Sequence, residues 1–273
     1  MTDREDTMGP DGAPAVLYDV DGPVATIRLN RPAVRNSVDG PTARLLREAF
    51  HRMADDDAVR VAVLAGEGGT FCAGADLTAV GDPARRNDLD PDGGGEGPMG
   101  PTRTALSKPL IAAVSGHAVA GGLELALLAD LRVAEEDAVL GVFCRRWGVP
   151  LIDGGTARLP RVVGLGRALD LVLTGRPVDA AEALSMGLVD RVVPRGGALA
   201  AAQQLAAEIA AFPFGCMLAD RASVYAGLDL PLAEALRAEG ASGTPLVLAE
   251  GVDGAARFVA GEGRHGSFGD AGR

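Results

Sequence analysis

Two short segments of tiny residues constrain this chain more than any other feature. They are Phe71-Cys72-Ala73-Gly74-Ala75-Asp76-Leu77 and Gly116-His117-Ala118-Val119-Ala120-Gly121-Gly122-Leu123-Glu124-Leu125-Ala126. The first follows the β-rich run Val59–Leu64 and its loop, the second the run Leu110–Val114. Each reads as a strand, a turn of small residues and a helix start. Such a turn presents backbone N–H groups with no side chain in the way. The helix start adds the positive end of a dipole.

The rest of the chain repeats this alternation. Ala15–Val20 and Val24–Leu29 are β-rich runs joined by Asp21-Gly22, a hairpin signal. Leu45, Leu46, Phe50 and Met53 recur at helical spacing and predict a helix over Pro41–Met53. Leu131–Ala134, Val139–Val142 and Val189–Val193 predict further short strands, and Gly121–Ala129 a helix. Ala198–Ala211, Cys216–Ala226, Leu232–Glu239 and Leu246–Val259 predict closing helices. Residues 81–102 are rich in Gly, Pro and Asp without a period and predict a mobile or weakly ordered loop. Strand-then-helix order implies an α/β fold. We expect a disordered tail over 1–13, an α/β core over 14–195 and a helical segment over 196–273.

Composition excludes several classes. The 26 basic and 37 acidic residues give a net charge of −11, which argues against general nucleic-acid binding. No apolar run is long enough to span a membrane, and the start of the chain is polar and acidic, unlike a signal peptide. The 3 cysteines, Cys72, Cys144 and Cys216, are scattered, which suits a reducing cytoplasm. No His, Cys and carboxylate cluster has metal-ligand spacing, so no metal is expected.

Two tiny-residue turns converging on one point would form an oxyanion hole, suited to an enolate oxygen developing on a thioester carbonyl. Either turn alone could equally serve close packing. A third motif lies upstream: Asn30-Arg31-Pro32, with Asn36 four residues after the proline. The order Asn-Arg-Pro-x-x-x-Asn, Phe-x-Ala-Gly-Ala-Asp-Leu, Ala-Gly-Gly-x-Glu-Leu-Ala resembles the crotonase superfamily, the enoyl-CoA hydratase/isomerase family. The match runs from about Ala15 to the end. A nucleotide-binding alternative lacks its motifs, since no clean Gly-x-Gly-x-x-Gly and no Walker sequence follows a strand.

The resemblance implies a crotonase-like ββα spiral core with a C-terminal helical oligomerisation segment. It implies a cytoplasmic homotrimer or dimer of trimers acting on an acyl-CoA thioester, with no cofactor beyond that substrate. It places the oxyanion-hole amides at Ala75 and Gly121. It places Ala33, Val34, Arg35, Ala73, Asp76 and Leu77 against CoA; Arg35 is alternatively a solvated surface arginine. Glu124 matches one of two catalytic glutamates and is either that or a first-turn glutamate favoured by the helix dipole.

The second glutamate is where the sequence departs. Anchoring on Gly141, Gly148 and Gly154-Gly155 puts Cys144 at that position. A thiol with an ordinary pKa of about 8.5 does not simply replace a carboxylate in acid/base work. Cys144 is either a catalytic substitute or a small buried apolar residue. Asp153, before Gly154-Gly155-Thr156, is either a second acid/base, as in some relatives, or a helix cap. Arg145 and Arg146 either recognise an acidic acyl group or lie on the surface. Lys108 and His117 read as structural. The family lysine that would meet CoA phosphate has no assignable match here, and Arg264 is a candidate stand-in. The expected activity is enoyl-CoA hydration. The alternatives are isomerisation with one acid/base, or a CoA-thioester binder without catalysis.

Overall fold

The computed structural model describes Gly9 and residues 12–263. The rest of the 1–13 tail and Arg264 lie outside the described residues. The expected hairpin is present: β1 (Val16–Asp21) pairs antiparallel with β2 (Val24–Leu29), and Gly22 turns at φ 53°. β2 then starts a parallel array with β3 (Val61–Gly66), β4 (Leu110–Val114), β6 (Leu131–Glu135) and β9 (Arg191–Val193), in the order β1-β2-β3-β4-β6-β9. A second sheet joins β5 (His117–Val119), β7 (Val139–Gly141) and β8 (Val178–Asp179). The chain is therefore α/β, as its alternation predicts.

The parallel strands are apolar on both faces because helices and loops cover both. On β3, Ala62 and Leu64 enter the main core, while Val61, Val63 and Ala65 face the other way. That second face is covered by Ala198, Ala202, Leu205, Ala206 and Ala210 of helix α6 (Ala198–Ala210). Small residues let this helix lie close to the sheet. Main-core partners come from α1 (Gly40–Asp55), through Leu46, Phe50 and Met53, and from α2 (Gly121–Leu128). Every residue of α2 is buried. Its apolar character on all sides is that of a central helix, not an amphipathic one.

Helices α3 (Gly155–Val163), α4 (Leu165–Thr174) and α5 (Ala180–Ser185) complete the core. The residues fall into two compact units, one ending at Ala210 and the other beginning at Ala211. Sequence pattern groups α6 with the closing helices from 196, but its buried alanines belong to the first unit's sheet. The second unit holds α7 (Phe214–Gly227), α8 (Leu232–Leu246), a π-helical stretch Val247–Gly251 and α9 (Val252–Ala260). No described helix is long and apolar enough to cross a membrane.

Candidate active site

The two tiny-residue turns meet. Cys72 donates its N–H to the His117 carbonyl at 2.9 Å, and Val119 donates back to the Cys72 carbonyl at 3.1 Å. On the other side Val38 donates to Gly74 O and Asp76 donates to Val38 O, both at 2.9 Å. A Cβ on Gly74, where φ is 98°, would lie 2.9 Å from Ala120 Cβ and 3.0 Å from Gly121 N. A Cβ on Gly122 would strike the Cys72 carbonyl. Both glycines are therefore fixed by the close approach of two backbones. Ala120 caps α2 at φ 55°, ψ −125°, a strained conformation for a residue with a Cβ. Ala75 and Gly121 both line one cavity. Among the described residues, no hydrogen bond uses either amide as donor.

The Asn30-Arg31-Pro32 motif serves the turns from outside. Asn36 is fully buried at φ 55°. Its Nδ2 donates to Glu67 O at 2.8 Å and Thr70 O at 2.6 Å, while its Oδ1 accepts from Arg31 N at 2.8 Å. It thus clips the loop that leads to Phe71. Arg31 lies 3.1 Å from Asp39 and 3.3 Å from Asp76, and Arg85 approaches the same two carboxylates. Burial alone would raise the Asp76 carboxyl, but the Thr78 hydrogen bonds and the two arginines outweigh it and hold it low.

The cavity has a volume of about 440 Å³. Its walls are mostly apolar, with Leu77, Val80, Met99, Phe143, Trp147 and Ile152 among them. Of the residues predicted from sequence, it brings together Ala73, Ala75, Leu77, Gly121, Glu124, Cys144 and Asp153. Asp76 does not line it, because its side chain turns into the ion cluster. Ala33, Val34 and Arg35 do not line it either and are exposed. Their nearest link is the Ala73 N–H, which donates to Arg35 O at 3.0 Å.

Glu124 sits in the first turn of α2 and is 2% exposed. Its Oε1 accepts from Asp153 N and Gly155 N, both at 2.8 Å. Burial pushes its carboxyl up to about 7, helped by the Asp153 charge and opposed by the Gly155 amide. Asp153 is also buried, and burial raises its carboxyl against the pull of Thr102 and Met99. Its Oδ1 accepts from Met99 N at 2.9 Å and from Thr102 Oγ1. Cys144 is buried at the start of the helical turn Phe143–Trp147. Burial, and then the negative Glu124, push its thiol up, so it is neutral at pH 7.

Other candidates fall outside the cavity. Arg145 Nε donates to Val172 O at 3.0 Å, and Arg146 stacks 4.1 Å from the Phe143 ring and donates to Gly175 O. Both tie the turn to α4 and its end. Lys108 Nζ donates to Met53 O at 2.9 Å and Asp56 O at 2.7 Å, capping α1. Sequence reading missed Met99, Thr102 and Arg158. Met99 and Thr102 lie in or next to the stretch expected to be mobile, which is irregular but tied down. Asn87 donates to Val38 O and Pro98 O, and Arg103 donates to Gly93 O, Gly94 O and Ile152 O.

The family profile described as enoyl-CoA hydratase/isomerase matches residues 19–244. Enoyl-CoA hydratase EchA19 of Mycobacterium tuberculosis is 39% identical over 208 residues, 74% of this chain and 76% of that protein. A carnitinyl-CoA dehydratase of Salmonella enteritidis is 39% identical over 190 residues, 69% of this chain and 71% of that protein. The crystal structure of an enoyl-CoA hydratase from Mycobacterium tuberculosis superposes with a TM-score of 0.84 at 33% identity, covering 90% of this chain and 96% of that one. Profile, relatives and fold agree with the motif order, and the chain belongs to the enoyl-CoA hydratase/isomerase family, the crotonase superfamily.

Proposed function

We propose that this protein adds water across the 2,3 double bond of an enoyl-CoA thioester, or removes it in reverse, with Glu124 as the proton carrier. One observation carries the reading: a buried carboxyl poised near 7 faces a cavity that the Ala75 and Gly121 residues also line. The thioester oxygen sits between those two amides. Deprotonated Glu124 takes a proton from water as its oxygen attacks C3. The π electrons move onto the thioester as an enolate, which the two N–H groups and the α2 dipole stabilise. Glu124 then returns the proton to C2. A group titrating near 7 both accepts and donates at neutral pH, so one carboxyl performs both transfers.

Binding of CoA fits the same cavity. By the resemblance, Ala73 and Leu77 of the cavity wall would flank the CoA adenine, with Ala33, Val34 and Arg35 outside the cavity beside it and the Asp76 side chain held in its ion cluster. Backbone donors let a chain of net charge −11 hold an anionic ligand without a basic patch. The resemblance adds a homotrimer or dimer of trimers in the cytoplasm. The exposed apolar side chains of the second unit, including Leu232, Leu248 and Phe258, offer a surface for such assembly.

A second reading is favoured by Cys144. A neutral thiol where the resemblance expects a second glutamate leaves one strong acid/base, which suffices to move a double bond between positions 2 and 3. Product analysis separates the two. Hydroxyacyl-CoA from 2-enoyl-CoA supports hydration. Conversion of 3-enoyl-CoA to 2-enoyl-CoA with no hydroxyacyl product supports isomerisation. No turnover of either overturns the enzymatic reading and leaves a CoA-thioester binder.

A further inference from the structure

One buried side chain joins two parts of the site that are far apart in sequence. Asp153 is 3% exposed, and both of its bonds from the Met99 turn end on Oδ1: the Met99 N–H at 2.9 Å and the Thr102 hydroxyl. The turn it holds lies against the oxyanion side, since a Cβ on Gly121 would fall 2.9 Å from Met99 Sδ. On its other side, the Asp153 main-chain N–H donates to Glu124 Oε1. Arg158 braces the arrangement, donating to Asp153 O at 3.1 Å and Thr102 O at 2.7 Å. Gly97 admits the carboxylate, because a Cβ there would press on Thr102 Oγ1 and on Asp153 Oδ1.

We infer that Asp153 is a positioning residue: its carboxylate fixes the Met99–Thr102 turn against the Gly121 end of α2, while its amide fixes Glu124. This rests on Glu124 being the proton carrier. A second acid/base would have to release or accept a proton at each turnover. Here Oδ1 accepts from two donors, and a proton placed on it at each turnover would displace the bonds that hold the turn on Gly121. The charge has a further effect at a distance. Asp153 and Arg158 face Glu124 from the α3 side, and Cys144 faces it from the turn Phe143–Trp147. Of these, Asp153 is the negative one, and it holds the Glu124 carboxyl up.

The test compares wild type, Asp153→Asn, Asp153→Ala and Thr102→Val. Steady-state hydration of a 2-enoyl-CoA is followed from pH 5.5 to 9, with amide exchange over residues 97–103 read by mass spectrometry. Asparagine retains an Oδ1 that accepts both bonds and removes the charge. The expected result for Asp153→Asn is kcat within about tenfold of wild type, an acid limb moved to lower pH, and unchanged exchange. Asp153→Ala is expected to lose about 10²-fold in kcat and to exchange faster over the turn. Thr102→Val is expected to exchange faster with the acid limb in place. The inference is overturned if Asp153→Asn loses as much kcat as Asp153→Ala, as an acid/base would. It is equally overturned if the acid limb stays put, or if Asp153→Ala leaves the exchange unchanged. The exchange readout is independent of turnover, so an inactive wild type would sink the Glu124 reading and still decide the positioning of the turn.

Discussion

Replacing Glu124 by glutamine separates the cost of holding this carboxyl from its use. Glutamine keeps an Oε1 that accepts from the Asp153 and Gly155 amides, so the two hydrogen bonds survive. What disappears is a titration. The carboxyl is raised to about 7 in the folded state against an ordinary 4.5. Because the folded value is the higher one, the folded state prefers the protonated form. Its stabilising contribution is complete below about pH 4.5 and is lost as pH rises through about 7. The gap between 4.5 and 7, at about 1.4 kcal/mol per pH unit, amounts to about 3 kcal/mol above pH 8. The glutamine variant escapes this cost. It should be more stable than wild type by about 1 kcal/mol at pH 5.5 and about 3 kcal/mol at pH 8.5. Urea unfolding at the two pH values measures the difference. A variant no more stable than wild type at pH 8.5, or an advantage that does not grow with pH, would refute a desolvated carboxyl at this position.

Three further outcomes follow from the geometry. Gly74→Ala places a Cβ at positive φ and against Gly121 N, so it should cost about 2 kcal/mol in thermal or urea unfolding and at least tenfold in kcat. Asn36→Ala removes three side-chain hydrogen bonds of a buried residue and should cost about 3 kcal/mol of stability by the same unfolding assay. Thiol labelling at pH 8 should modify the exposed Cys216 first and Cys144 slowly. Cys72, fully buried with its thiol pushed up to about 12, should react only on unfolding.

The sequence displays those parts of the fold that rest on local chemistry. Asp21-Gly22 marks its hairpin because the turn needs a positive φ at Gly22. Gly74, Gly121 and Gly122 mark the site because two backbones touch there and leave no room for a Cβ. Glu124 is legible for a related reason: it is the one charge on a helix otherwise apolar on every side. Asp76 misleads because adjacency along the chain is not adjacency in space. Its neighbour Ala75 lines the cavity, while its own side chain pairs with Arg31 and Arg85. Arg145 and Arg146 take the surface alternative that their sequence allowed: both are exposed, and their donors are used on carbonyls of α4 and its end. Met99, Thr102 and Arg158 leave no local signal. Their roles arise from tertiary contacts across more than fifty residues, and an aperiodic stretch rich in Gly and Pro looks the same whether pinned or free. The place of α6 is hidden for the opposite reason. An alanine-rich helix suits both a sheet face and a helical bundle, and only its packing on Val61, Val63 and Ala65 of β3 decides between them.

The pH dependence of kcat/KM for hydration of a 2-enoyl-CoA, measured on wild type and Glu124→Gln, tests the central claim most directly. A proton carrier titrating near 7 predicts a wild-type rate that rises with pH through a midpoint near 7. It predicts a glutamine variant slower by about 10³-fold with that midpoint gone. A glutamine variant that hydrates at the wild-type rate, or a wild-type profile flat through pH 7, would contradict it.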